Sequence, residues 1–132
     1  MSGVSSVDRA IELGTKYFKA QDYKNAKDVF IKTIRLVNAY DDKTILEIRK
    51  SLNYTPYSVT CVNNSPQKIV VHPRYTKLLD NLAATWEKLN EKEKALKVTE
   101  KMIEKESYNI KGYIRRGNIL QALGKDREAF KN

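Results

Sequence analysis

The chain predicts an all-α fold, helical hairpins stacked as a short superhelix with one long insertion after the first hairpin. Three observations carry that expectation. Apolar residues recur at three- and four-residue steps through most of the 132 residues. Pairs of such stretches are separated by polar segments like Ala20 to Lys24, short enough to force an antiparallel reversal. Small residues also return at a fixed distance: Ala83 and Gly117 are 34 residues apart, and so are Ala95 and Ala129.

Each element follows in order within a single domain, 1–132. In the first hairpin, 7–38, Ile11, Leu13, Tyr17 and Phe18 mark one helix, and Ala26, Val29, Phe30, Ile34 and Leu36 mark the next. Residues 39–73 hold an extra helix and an insertion. Lys43 to Leu52 sets Ile45, Ile48 and Leu52 on one face, with Asp41 and Asp42 at its positive N-terminal end. Asn53 to Pro73 holds all three prolines and no acid, so a loop is expected, with Tyr57–Val62 or Ile69–Val71 lying extended against the helices. The second hairpin, 74–107, runs through Leu78, Leu79, Leu82, Ala83, Trp86 and Leu89. It breaks at Asn90 to Lys92 and resumes with Ala95, Leu96, Val98, Met102 and Ile103. The third, 108–132, has Tyr113, Ile114, Gly117, Ile119 and Leu120 in its first helix. A turn is expected at Gly124 to Asp126, with Ala129 and Phe130 opening a second helix that Asn132 cuts short, as in a domain excised from a longer adaptor.

These spacings resemble the tetratricopeptide repeat, whose period is 34 residues. Leu13-Gly14-x-x-Tyr17 precedes Ala26-x-x-x-Phe30, Leu82-Ala83-x-x-Trp86 precedes Ala95, and Gly117-x-x-Leu120 precedes Ala129. Small residues at Gly14, Ala83 and Gly117 would let paired helices approach, with Tyr17, Trp86 and Leu120 filling the space beside them. The chain departs from the pattern at Thr99 and Arg116, where an aromatic and a leucine are usual, and at Asn38 and Ser107, where proline would end a helix.

Composition narrows the function classes. No apolar run is long enough to span a membrane, and MSGVSSVDRA lacks the apolar core of a signal peptide, so no membrane association is expected. One cysteine, Cys61, and one histidine, His72, exclude disulfide scaffolds and zinc modules, and a Cys-His nucleophile pair would have to be those two residues with no orienting group nearby. No phosphate-cradling glycine motif occurs; no cofactor and no catalysis are expected. The formal charge of +9 divides as +4 over residues 1–73 and +5 over 74–132, and Lys92 to Glu106 alternates Lys and Glu like an ordinary exposed helix. Direct nucleic-acid binding is therefore disfavoured.

Stacked hairpins line their inner face with the first helix of each repeat and present grooves to peptides. On that face the spacing places Ile11, Thr15, Phe18 and Lys19, then Lys77, Asp80, Asn81, Ala84 and Lys88, then Lys111, Ile114, Arg115, Asn118 and Gln121. Lys77, Asn81, Lys88, Lys111, Ile114, Arg115 and Asn118 are the candidate partner-binding residues, and their cations favour acidic segments. Asn81, Lys111 and Arg115 match three of five positions by which chaperone-binding tetratricopeptide domains clamp a C-terminal carboxylate; Ile11 and Thr15 occupy the other two. That cochaperone role, recognising an acidic C-terminal peptide, is the alternative reading. In the insertion, Ser65-Pro66-Gln67-Lys68 has the form preferred by proline-directed kinases and Thr55-Pro56 is a weaker site of that class, making Ser65 and Thr55 candidate phosphorylation sites.

Over nearly its whole length, through AIELGTKYFKAQDYKNAKDVF, RYTKLLDNLAATWEKLNEKEKAL and KGYIRRGNILQALGKDREAF, the chain resembles the amino-terminal module of a fungal F-box protein family. Members carry tetratricopeptide repeats, then an F-box, then leucine-rich repeats, and serve as substrate receptors of an SCF ubiquitin ligase linked to DNA replication. The resemblance implies a nuclear, noncatalytic docking module that tethers the ligase to replication-fork proteins. Contacts with the SCF core would fall to parts of the protein outside this chain.

Overall fold

The computed structural model describes residues 2–54, 58–62, 65–107 and 109–131, and among them the side chains of residues 6–54, 65, 70–107 and 109–124. The described elements are α1 (Ser2–Lys19), α2 (Tyr23–Ala39), α3 (Asp42–Ser51), β1 (Ser58–Val62), β2 (Ser65–Ile69), α4 (Tyr75–Lys88), α5 (Lys92–Lys105) and α6 (Ile110–Lys131). The body is helical: α1 pairs with α2 and α4 with α5, α4 packs on α2, and α6 closes on α5 and α4.

Both reversals are built alike. Gln21 and Asn90 adopt left-handed backbone with φ of 63° and 62°. Each lets the next amide reach back to the helix it leaves: Asp22 donates to the Tyr17 carbonyl at 2.9 Å, and Glu91 to the Trp86 carbonyl at 2.9 Å. Asp22 then caps α2 by accepting from the Asn25 amide. α3 ends in the same way at Asn53, with φ of 60°. Its start fits the two aspartates expected there: Asp41 accepts from the Thr44 amide at 2.8 Å, and the Thr44 hydroxyl and amide hold its carboxyl below the ordinary carboxylate value.

Gly14 has a direct reason. A β-carbon there would sit 2.6 Å from Cζ of the buried Phe30, so α1 meets the Phe30 ring with its bare backbone. Val7, Ile11, Ala26, Phe30, Val37, Tyr75, Leu78, Leu79, Leu82 and Met102 make one core over the first two hairpins. Ala83, Ala95 and Ile119 make a second core under α6, and Trp86 packs against both. Thr99, which stands where an aromatic is usual, is fully buried and donates its hydroxyl to the Leu96 carbonyl at 2.6 Å, so a small satisfied side chain replaces a large apolar one.

The third hairpin differs from expectation. α6 runs unbroken through Gly124 to Lys131, with no turn at Gly124 to Asp126 and no separate second helix. Gly117 is exposed and a β-carbon on it would meet nothing within 4 Å, while Leu120 is also exposed. In the first two hairpins the returning helix buries Ala26 with Phe30, or Ala95 with Thr99. Gly124, half-buried, stays within the helix: glycine is a weak helix former, but its cost of about 1 kcal/mol does not by itself impose a turn.

The insertion also departs from a loop. β1 and β2 form an antiparallel hairpin pairing Ser58 with Ile69 and Cys61 with Pro66, and β1 lies against α5. The first expected extended piece overlaps β1, whereas of the second only Ile69 lies in a strand, at the end of β2. Proline is tolerated there because each strand of a two-stranded sheet is an edge. Val70 to His72 instead leave the hairpin and turn inward, with Val71 and His72 buried. Arg49, itself only 4 % exposed, donates to the Val71 carbonyl at 2.7 Å, tying α3 to the chain just before α4.

Left-handed backbone strains a residue with a β-carbon, and Gln21 carries that strain in an exposed position. Replacing Gln21 with glycine should raise unfolding free energy by about 0.5–1 kcal/mol. Urea titration followed by circular dichroism measures this, and an equal or lower midpoint contradicts the turn assignment.

Candidate functional site

The first turns of α4 and α6 meet the middle of α1 around an open groove of about 610 Å³. Its walls alternate in charge: Asp8 and Glu12 on α1, Arg74 and Lys77 at the start of α4, Glu106 and Lys111 around the start of α6. Three of these charges, Asp8, Arg74 and Glu106, are engaged by neighbouring side chains. Arg74 Nε lies 2.9 Å from Asp8 and Nη1 lies 3.4 Å from the Tyr54 hydroxyl. Burial alone would lower the Arg74 pKa, but the Asp8 and Tyr54 bonds outweigh it and raise the value. Glu106 accepts from the Thr76 hydroxyl. Lys77 and Lys111 are exposed on the groove wall, and the Lys111 amide is capped by Asn109 at 3.0 Å.

A shallower cleft of about 160 Å³ continues along α4 and α6, lined by Asp80, Lys111, Ile114, Arg115 and Asn118. Thus four of the seven candidate residues share one cleft and Lys111 joins it to the larger groove, where Lys77 lies. Asn81 and Lys88 line neither. The Asn81 carbonyl accepts from Thr85 at 2.7 Å, and Lys88 is exposed in the last turn of α4.

Arg115 is not the open cation that spacing implies. Its Nε lies 2.6 Å from Asp80 and its Nη1 2.7 Å from Glu87, two carboxylates seven residues apart on one face of α4. Burial would lower its pKa, and the bonds to Asp80 and Glu87 raise it instead. All three side chains are about three-quarters buried, so the guanidinium braces α6 against α4, and taking a partner carboxylate would mean giving up a fork already filled. Of the first-repeat positions in the carboxylate-clamp comparison, Ile11 is buried in the core and Thr15 is half-buried.

His72 is sealed in the core at 1 % exposure, with its ring near Tyr40 and its Nδ1 accepting from the Arg74 amide at 3.0 Å. Burial first, then the positive charge of Arg74, lowers its pKa to about 4, with Asp8 opposing and Arg49 adding to the shift. A closed-in imidazole with so little basicity is unsuited to deprotonating a thiol at neutral pH. Of the phosphorylation candidates, Ser65 opens β2 and is exposed, while Thr55 lies outside the described residues.

Arg74, Tyr54 and the Thr76–Glu106 bond escaped sequence reasoning, because their partners lie 20 to 66 residues away. The one available signal was the pairing of a tyrosine and an arginine at the two ends of the insertion.

No protein-family model matches the chain. It is 44% identical over 124 residues to Protein DIA2 of Eremothecium gossypii, a match covering 94% of this chain and 17% of that protein. It is 36% identical over 127 residues to Protein DIA2 of Saccharomyces cerevisiae, covering 96% of this chain and 16% of that one. The chain therefore spans about a sixth of the length of the curated relatives it matches.

Two outcomes follow from the buried charges. Arg115→Ala should lower unfolding free energy by about 1–2 kcal/mol, since it leaves Asp80 and Glu87 unpaired where both are largely buried; an unchanged urea midpoint argues against the brace. Unfolded His72 takes up a proton near pH 6.5 while the folded one resists until about 4, so stability is full above 6.5 and falls as pH drops through that window. Between pH 7.5 and 5.0 this linkage is worth about 2 kcal/mol, and His72→Phe should lose that much less than wild type over the interval. Parallel losses in the two proteins would contradict it.

Proposed function

We propose that the chain is a noncatalytic docking module of an F-box substrate receptor, and that in the nucleus it tethers an SCF ubiquitin ligase to replication-fork proteins. The observation that carries this reading is the open groove of about 610 Å³ between α1, α4 and α6. It is an open, charge-lined groove between three helices, a shape suited to an extended segment of another protein. Likeness to one sixth of much longer relatives supports a part played within a larger adaptor, with F-box and leucine-rich parts elsewhere.

The groove refines which residues act. Lys77 and Lys111 line it, exposed and with no ion pair among the described residues, whereas Arg115 is consumed by Asp80 and Glu87. Acidic segments of the partner would thus meet Lys77 and Lys111, while basic positions could face Glu12. The cochaperone reading loses support, because the arginine of its clamp is filled and Ile11 is buried.

The test reverses Lys77 and Lys111 to glutamate and captures partners from fungal nuclear extract on the immobilised chain. Recovery of replication-fork proteins, read by mass spectrometry, should fall by about tenfold while the helical spectrum stays native. Undiminished recovery sinks the groove assignment. Tight binding of a free acidic peptide that vanishes when its C-terminus is amidated would favour the cochaperone role instead.

A further inference from the structure

A second groove lies on the other side of α4. Tyr75, Leu79 and Leu82 form its floor, Ile31 and Ile34 of α2 make one wall, and Val98 of α5 makes the other. These α4 positions point away from Lys77 and Asp80, so the two grooves are separated by the body of the helix. The trough measures about 280 Å³, room for a few aliphatic side chains. Arg35, Lys97 and Lys101 stand exposed on its rim, and no carboxylate lines it. Among the described residues no ion pair engages any of those three cations.

We propose that this groove docks an acidic amphipathic helix of a partner protein. The apolar trough runs between two helices over the face of a third, the setting in which a helix lays down leucine-like anchors at i, i+4 and i+7. The rim sets the partner's charge, since three unpaired cations around an apolar floor reward carboxylates on both flanks of such a helix. A second copy of this chain is a poor occupant, because each copy carries a net charge of +9. A nucleic-acid strand is also disfavoured: the single ring in the trough, Tyr75, is buried in its floor, leaving no exposed face for bases to stack upon. The site is independent of the groove between α1, α4 and α6.

The probe is a fluorescein-labelled helical peptide with leucines at i, i+4 and i+7 flanked by glutamates, compared by anisotropy with its lysine counterpart. The glutamate peptide should bind saturably and the lysine peptide should not. Raising salt from roughly 50 to 500 mM should weaken binding. Lys97→Glu with Lys101→Glu should weaken it about tenfold at an unchanged circular dichroism spectrum, whereas Lys77→Glu with Lys111→Glu should leave it intact. Methyl resonances of Ile31, Ile34, Leu79, Leu82 and Val98 should shift on titration. The proposal is overturned by equal binding of the two peptides, by absence of saturable binding, or by insensitivity to the Lys97 and Lys101 reversals. Methyl shifts confined to α1 and α6, or a self-association in sedimentation equilibrium that the peptide competes away, would overturn it too.

Discussion

The guanidinium of Arg49 bonded to the Val71 carbonyl lets the chain leave its first hairpin at Tyr40 and come back to it at Tyr75. An arginine held at 4 % exposure is costly unless its donors are met, and this one spans from α3 to the residue that enters the core ahead of α4. Around it, Tyr54 lies under the same guanidinium at 5.6 Å and also receives Arg74, so both ends of the insertion converge on one basic pair. With the entry of α4 fixed, Tyr75, Leu78 and Leu79 fall onto α2, and the two grooves are simply the two sides of α4 left open by that docking. Losing the tie would move α4, and both binding surfaces with it.

The positive charge of the chain is distributed by a similar logic. Arg49, Arg74 and Arg115 are spent on internal bonds to a carbonyl or to carboxylates, where the planar fork can satisfy several acceptors at once. Lys27 and Lys94 sit over the Trp86 ring, at 5.7 and 4.8 Å from its centre, shielding the indole where the two cores meet. The exposed cations on the walls and rims of the two grooves are four lysines, Lys77, Lys97, Lys101 and Lys111, with Arg35. A bare count of basic residues thus overstates what a partner would feel, and it places that attraction wrongly when arginines are counted first.

Helices, reversals and the small-residue contacts of the first two hairpins were readable in advance because each is local. Periodicity finds an amphipathic helix, and Gly14 and Ala26 recur 69 residues later as Ala83 and Ala95, which pack in one core. What escaped was set by distance or by balance. Nothing local in Arg115 announces that Asp80 and Glu87 wait on another helix, and nothing local in Arg49 announces a carbonyl 22 residues ahead. Gly124 falls 34 residues after Asn90, at the place where a left-handed residue ends the preceding first helix, yet it stays helical. Its local chemistry permits a turn, and only the packing of a returning helix would impose one. The hairpin in the insertion was missed for the opposite reason: proline argues against a strand locally, and an edge pairing tolerates it.

The excursion over residues 39–73 also has a kinetic consequence. α1 with α2, and α4 with α5, are each joined by a reversal of a few residues and can form on the fast timescale of neighbouring helices. Docking α2 on α4 must first close a loop of that length, an entropic cost of about 3 kcal/mol before any constant is added. Folding is therefore ordered by the chain's own geometry: two hairpins are made early, and their union comes late. Both grooves come into being only at that last step, when the two hairpins complete their shared core, so a nascent or partly unfolded chain has nothing with which to hold a partner.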